Sequence, residues 1–369
     1  MKILFVNLSG LRFTVATPDI EPLGGTESAL CYLARQLAKN GHQVSVVTRQ
    51  PDEDATTFVM DVRHLPRSVL LNAEFLTAET FDAIIVSNSP IAGPTLRAMA
   101  PHSFLLLWDH LAPDHPTVSG LGEPVARDSF DGIVYVSEWQ KRVTEQSFGF
   151  QKPAVVIGNG FAPAFENMFA SPAELLAAKE NRAAYTTTPF RGLHILLDVM
   201  KGLKTGTKLD LYSSMKVYQA TADDQYAPLY KYAAENPLIT PHGAVAQSEL
   251  AERLKPVAFL AYPSTYAETF CIAALEALAA GMKVLTTATA ALPEIFQSDA
   301  DYVPVSLENP QQLINDFRAM MERNVDEFLA QPEAWAEKRF ATMQRVNRDC
   351  TWAKRAEAWE HMLAARVLF

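Results

Sequence analysis

The stretch Tyr262-Pro263-Ser264-Thr265-Tyr266-Ala267-Glu268-Thr269-Phe270-Cys271-Ile272-Ala273-Ala274-Leu275-Glu276-Ala277-Leu278-Ala279-Ala280-Gly281 changes its periodicity partway along. The apolar run Val257–Ala261 just before it reads as a buried strand, and Pro263, Ser264 and Thr265 as a polar turn. From Thr269 to Ala280 the residues suit a helix, closed by Gly281. The first amides of such a helix, around Thr269–Cys271, lack partners within it. With the helix dipole they form an anion site suited to a phosphate. Glu268 lies on the rim of that site. Glu276 follows two turns later, about 80° around the helix axis from Glu268. Both carboxylates can therefore reach one elongated ligand, and a carboxylate accepts from two vicinal hydroxyls, as on a ribose. A plainer reading makes Glu268 a helix-end charge and Glu276 a surface residue. The flanking Ala273, Ala274, Leu275, Ala277 and Leu278 favour a carboxylate at 276 that is partly buried and paired. The chemistry alone leaves both readings open.

The same alternation of apolar strand and helix extends outward in both directions. Ile3–Leu8, Gln43–Thr48, Ala83–Ser87, Ser103–Trp108, Gly132–Ser137 and Ala154–Ile157 read as strands. Helices are expected at about Thr26–Asn40, closed by Gly41, at Ile91–Ala100 and at Glu138–Phe148. After a seam at Gly158–Pro163 the alternation restarts. Arg182–Thr186, Lys208–Tyr212 and Lys283–Thr286 read as strands, and Gly192–Leu203, Pro310–Leu329, Pro332–Arg348 and Trp352–Arg366 as helices. Continuous apolar strands between helices mean parallel sheets covered on both faces. The 369 residues suit two domains. The expected architecture is α/β, with two doubly wound, Rossmann-like parallel-sheet halves facing a cleft.

Composition narrows the class. Hydrophobic residues at 49% and charged residues at 20% exclude a disordered chain. A formal charge of −10 gives no basic footprint for nucleic acid. The three cysteines, Cys31, Cys271 and Cys350, show no CxxC spacing, which disfavours a disulfide framework or a zinc cluster. No run of about 18 apolar residues exists, so no transmembrane helix is expected. The opening apolar run is too short for a signal peptide.

Taken together, these segments resemble the retaining GT-B glycosyltransferases of family 4. Glu268 and Glu276 carry the spacing of that family's E-x7-E signature, continued by Ala277-Leu278-Ala279-Ala280-Gly281. Gly24-Gly25-Thr26-Glu27, Val136-Ser137-Glu138, Ile157-Gly158-Asn159-Gly160 and Leu292-Pro293-Glu294 match its other landmarks in order. The resemblance implies an acceptor-binding domain over 1–160, with the C-terminal helix (about 350–369) packed back on it, and a nucleotide-sugar domain over 161–349. It implies transfer of a sugar from a UDP- or GDP-sugar to an acceptor hydroxyl, with retention, in glycan, glycolipid or polysaccharide synthesis.

It also implies roles for residues. Glu276 holds the ribose, Glu268 the hydroxyls of the transferred sugar, and the Thr269, Phe270 and Cys271 amides the distal phosphate. Gly24 and Gly25 form a loop near the sugar, where glycine permits close approach and positive φ. Arg191 is the phosphate ligand. The basic residue that many members carry just before it is missing, since Tyr185-Thr186-Thr187-Thr188 bears no charge. His110, beside Asp109 at the end of a strand, matches a histidine facing the donor sugar. The loop His242-Gly243-Ala244-Val245 lies against the nucleobase in the family. His242 either stacks there or faces solvent.

No cofactor and no metal are expected, the nucleotide sugar being a co-substrate. The leaving diphosphate itself takes the acceptor proton in the family's same-face substitution, so no carboxylate nucleophile is required. Asp52-Glu53-Asp54 and Asp223-Asp224 read as solvated acidic loops. The segment from Lys338 onward holds seven Lys/Arg against three Asp/Glu, with Trp352, Trp359, Leu363 and Val367 at helical spacing. Its two readings are peripheral contact with the inner face of a membrane and packing on the N-terminal domain, of which packing is preferred. A cytoplasmic location is expected. The alternatives are an epimerase or phosphorylase on the same scaffold, and a non-catalytic nucleotide-sugar-binding protein. The last is suggested by the missing basic residue near Thr186. An NAD-dependent enzyme is disfavoured, since no GxGxxG follows a strand.

Overall fold

The computed structural model describes residues 1–220, 225–306 and 308–366. The chain divides into two compact units: Met1–Pro18 with Gly24–Asn159 and Trp352–Phe369, and Asp19–Leu23 with Gly160–Thr351.

The first unit is built on an eight-stranded sheet of order β3-β4-β2-β1-β5-β6-β7-β8. Its strands are β1 (Lys2–Asn7), β2 (Gln43–Val47), β3 (Thr57–Val59), β4 (Val62–Leu65), β5 (Ala83–Ser87), β6 (Phe104–Asp109), β7 (Gly132–Tyr135) and β8 (Ala154–Val156). All pairs are parallel except the β3–β4 hairpin. Every residue of β5 and β6 is buried, which is why these strands read as unbroken apolar runs. The helix Gly25–Lys39 ends where Gly41 turns left-handed at φ +92. It begins one residue before the expected Thr26, and neither glycine at its start adopts positive φ. Gly24 is extended (φ −61, ψ 151) and Gly25 is already helical. The Gly-Gly pair thus serves as a helix entry rather than a left-handed turn.

The helix Trp352–Ala365 packs on Gly25–Lys39 within this same unit. Trp352 meets Tyr32 with ring centroids 6.3 Å apart, and the fully buried Trp359 stands edge-on to Trp108 at 5.1 Å. Glu360 accepts from Asn40 Nδ2 at 2.8 Å, and Arg355 Nε donates to the Asn159 carbonyl at 3.0 Å. Val367, the last member of the stripe read from the sequence, lies outside the described residues. Among those residues no helix is long and apolar enough to cross a membrane.

The second unit carries a six-stranded, wholly parallel sheet of order β11-β10-β9-β12-β13-β14. The strands are β9 (Glu180–Tyr185), β10 (Lys208–Leu211), β11 (Ile239–Pro241), β12 (Val257–Tyr262), β13 (Lys283–Thr287) and β14 (Ala300–Val303). Helices Pro310–Ala330 and Pro332–Asp349 cover one side, where Phe328 and Trp335 pack edge-on against Phe259 of β12.

Candidate functional site

In the second sheet β9 has β10 on one side and β12 on the other, so the strand order reverses beside it. The carboxyl ends of strands at such a reversal bound the crevice where α/β proteins take ligands. Two loops leave this point: residues 186–192 after β9, and 263–271 after β12. Gly192 lets them approach. It sits at φ +105, and a Cβ there would lie 2.1 Å from the Pro263 carbonyl oxygen.

The last residues of the two strands, Tyr185 and Tyr262, are fully buried with rings edge-on at 5.9 Å. The Tyr185 hydroxyl donates to the Thr188 carbonyl at 2.8 Å, and the Tyr262 hydroxyl donates to Glu268 Oε1. Arg191 Nη1 binds that same Oε1 as an ion pair, and its Nε donates to Thr188 Oγ1 at 3.1 Å. The guanidinium lies 4.3 Å from the centre of the Tyr266 ring. Burial is the largest influence and works against its charge, but the Glu268 carboxylate together with Tyr262 and Tyr218 outweighs it and raises its pKa. Arg191 Nη2 and Glu268 Oε2 have no protein partner among the described residues.

The helix after Glu268 runs over Ile272–Ala279, not from Thr269. Cys271 is left-handed (φ 74, ψ 78), and a helix cannot propagate backward through such a residue. Thr269, Phe270 and Cys271 therefore form a turn that leads into the helix. Among the described residues the Phe270 and Cys271 amides have no backbone acceptor. Glu276 lies mid-helix, only 4% exposed. Burial pushes its carboxyl up to about 8, partly offset by a hydrogen bond from the Ala162 backbone. It is thus no surface residue.

His242 neither faces solvent freely nor stands alone. It stacks on Tyr212 at 4.5 Å with planes 10° apart. Arg253 Nη1 lies 3.1 Å from its Nδ1 and Asp210 Oδ1 lies 2.9 Å from its Nε2. Since Arg only donates, Nδ1 accepts and Nε2 carries the proton. Asp210 is also gripped by both ends of Arg182, at 2.9 and 2.8 Å. Val245, three residues on, is half-buried. Neither Asp210 nor Arg182 is singled out by the sequence reading.

In the first unit, Asp109 ends β6 and is fully buried. Its Oδ1 accepts from the Leu111 amide at 3.0 Å, and burial pushes its carboxyl up to about 7. His110, 7% exposed, packs its ring 4.4 Å from Trp108. Burial pulls its imidazole down to about 3, partly offset by the nearby Asn159 side chain and Trp108 backbone. Of the acidic loops, Glu53 is held by Arg12 at 3.1 Å and Arg49 at 3.0 Å. Asp223 and Asp224 lie outside the described residues. Among the described residues no group of His, Cys, Asp and Glu is arranged to hold a metal ion.

Two family models match the chain in tandem, "Glycosyltransferase Family 4" over residues 23–165 and "Glycosyl transferases group 1" over 183–323. No curated protein matches the sequence. Solved structures match over nearly the whole length. Sucrose-phosphate synthase from Thermosynechococcus elongatus aligns with a TM-score of 0.72 and 18% identity, covering 99% of both chains. A glycosyltransferase from Rickettsia africae aligns at 0.71 and 14%, covering 99% of this chain and 98% of that one. HepE from Anabaena, solved with UDP-glucose, aligns at 0.70 and 17%, covering 99% and 100%. At such identities the likeness is one of fold, and that fold is GT-B.

Proposed function

Because the chain belongs to the family 4, group 1 glycosyltransferases, we propose that it moves a hexosyl group from a UDP- or GDP-sugar to an acceptor hydroxyl with retention of configuration. One observation carries the donor assignment: between the loops after β9 and β12 a guanidinium nitrogen and a carboxylate oxygen have no protein partner among the described residues, beside a turn whose Phe270 and Cys271 amides have no backbone acceptor among them. Arg191 Nη2 and the Phe270 and Cys271 amides take the diphosphate. Glu268 Oε2 takes hydroxyls of the transferred sugar, and Glu276 the ribose. The UDP-glucose complex of the structurally similar HepE favours a uridine donor. The first unit takes the acceptor.

In this reading the anomeric bond to the diphosphate breaks as the acceptor oxygen arrives on the same face. The acceptor proton passes to the departing phosphate oxygen. Arg191 and the amides stabilise the charge that develops there. No step is routed through Asp109 or His110.

The test begins with melting temperature against UDP, GDP and ADP. Saturation at 100 times Kd stabilises a protein by about 2.7 kcal/mol. One diphosphate is expected to stand out, and its sugar conjugates then enter turnover assays with and without acceptors and EDTA. Acceptor-dependent nucleotide release that survives EDTA is the expected result. Turnover without acceptor to a new nucleotide sugar would instead mean epimerisation. Binding with no turnover over a broad acceptor panel would mean a non-catalytic protein.

A further inference from the structure

We propose that Tyr262 is a positioning residue of the donor site: its hydroxyl and Arg191 together occupy one oxygen of Glu268 and so aim the other at the transferred sugar. The proposal rests on the donor reading above. Its ground is the convergence of two donors on Oε1, while Oε2 keeps no protein partner among the described residues.

The backbone of Glu268 is already fixed. Its N–H reaches the Tyr266 carbonyl at 2.9 Å, and its carbonyl accepts from Ala291 N at 3.0 Å. What remains free is the side chain, whose terminal torsion is broad and roughly two-fold. A single donor would leave the carboxylate able to turn about that contact. Two donors from different loops and strands hold one oxygen and thereby set the direction of the other. Tyr262 is suited to this because it cannot move itself. It is fully buried at the end of β12, its ring abuts Tyr185, and its carbonyl accepts from Thr286 Oγ1 at 2.7 Å. Every other residue of β12 is apolar (Val-Ala-Phe-Leu-Ala). A phenylalanine would satisfy packing at this strand end, so the hydroxyl is the part that packing does not explain. Tyr185, its neighbour on β9, spends its own hydroxyl on the Thr188 carbonyl in the loop that carries Arg191. Together the two tyrosines tie both loops of the crevice to the sheet.

The test separates the sugar from the nucleotide. Affinities for UDP and UDP-glucose are measured by titration calorimetry on the wild type, Tyr262→Phe and Tyr185→Phe, and in a Glu268→Ala background with and without Tyr262→Phe. Tyr262→Phe is expected to weaken UDP-glucose about tenfold, the order of one hydrogen bond to a charged group, and to leave UDP within twofold. Tyr185→Phe, which removes an equally buried hydroxyl not directed at Glu268, controls for loss of stability and is expected to keep the ratio of the two affinities. In the Glu268→Ala background the Tyr262 change is expected to add nothing. Equal weakening of both ligands by Tyr262→Phe, or no weakening, overturns the positioning role. A wild type that binds both ligands alike overturns the sugar contact of Glu268, and one that binds neither overturns the uridine-donor reading itself; the positioning role falls with either.

Discussion

Each unit places a polar pair at the ends of buried strands, Asp109–His110 where β6 finishes in one and Arg191–Glu268 just beyond β9 and β12 in the other. The burial is comparable: Asp109 is 0% exposed, His110 7% and Glu268 4%. The chemistry differs because only one pair supplies its own counter-charge. Among the described residues Asp109 has one backbone donor and no cation, so burial favours its neutral form. His110 is held neutral in the same way. Arg191 stays charged because the Glu268 carboxylate beside it compensates for its burial. The end of a buried strand therefore marks a place for function without guaranteeing it. A site that binds an anion needs charge that survives burial.

The largest effect should come from breaking the compensated pair. Arg191→Ala leaves Glu268 buried with the Tyr262 hydroxyl as its side-chain donor among the described residues, and uncoupling a buried pair costs about 3–5 kcal/mol. Urea denaturation should show that loss. UDP affinity should fall far more than uridine affinity, since the contact is with phosphate. Equal losses for the two ligands would show that Arg191 does not face the diphosphate.

The uncompensated pair should respond in the opposite direction. The folded Asp109 carboxyl, near 7, sits above its unfolded value of about 3.9. The folded state therefore keeps a proton that the unfolded state releases. Stability falls as pH rises from about 4 to 7, and the loss is complete above that window. Asp109→Asn abolishes the penalty. We expect the variant to be more stable than the parent by about 2–4 kcal/mol at pH 8 and close to it at pH 4. A variant less stable at pH 8 would mean that the carboxylate is charged and paired in the folded protein.

How much of this was legible beforehand follows the range of the interactions. Strands buried on both faces, such as β12, declare themselves as apolar runs, and Gly41 marks its helix end by a local rule. The short, partly polar strands β3 (Thr-Phe-Val), β4 (Val-Arg-His-Leu), β11 (Ile-Thr-Pro) and β14 (Ala-Asp-Tyr-Val) carry no such pattern and went unread. The helix start was placed three residues early because hydrophobicity is blind to the left-handed turn at Cys271. Glu268, Glu276 and Arg191 were legible as candidates. The pairing of Arg191 with Glu268, 77 residues apart, was not, nor was the hold of Asp210 on His242 across 32 residues. Only the sheet order brings those residues together. The role of the strand-end tyrosines was hidden for the same reason.

The smallest expected effect bears on Glu276, which belongs to the second unit yet resembles Asp109 in its electrostatics. Among the described residues no cation faces it, and burial pushes its carboxyl up to about 8. The empty protein at pH 7 therefore holds it mostly protonated. If a ribose donates two hydroxyls to it, those bonds favour the charged form and lower its pKa in the complex. Binding must then release a proton. A nucleotide sugar is the right probe, because its diphosphate has no ionisation near neutrality and any proton comes from the protein. UDP-glucose affinity is expected to rise by about tenfold from pH 6 to pH 8, since a single linked proton limits the change to tenfold per pH unit. Calorimetry at pH 7 in buffers of different ionisation enthalpy should register the released proton, and Glu276→Gln should flatten both responses. A pH-independent affinity in the parent would mean that Glu276 stays protonated and donates to the ligand. It would then behave as Asp109 does, buried and neutral, even inside the site.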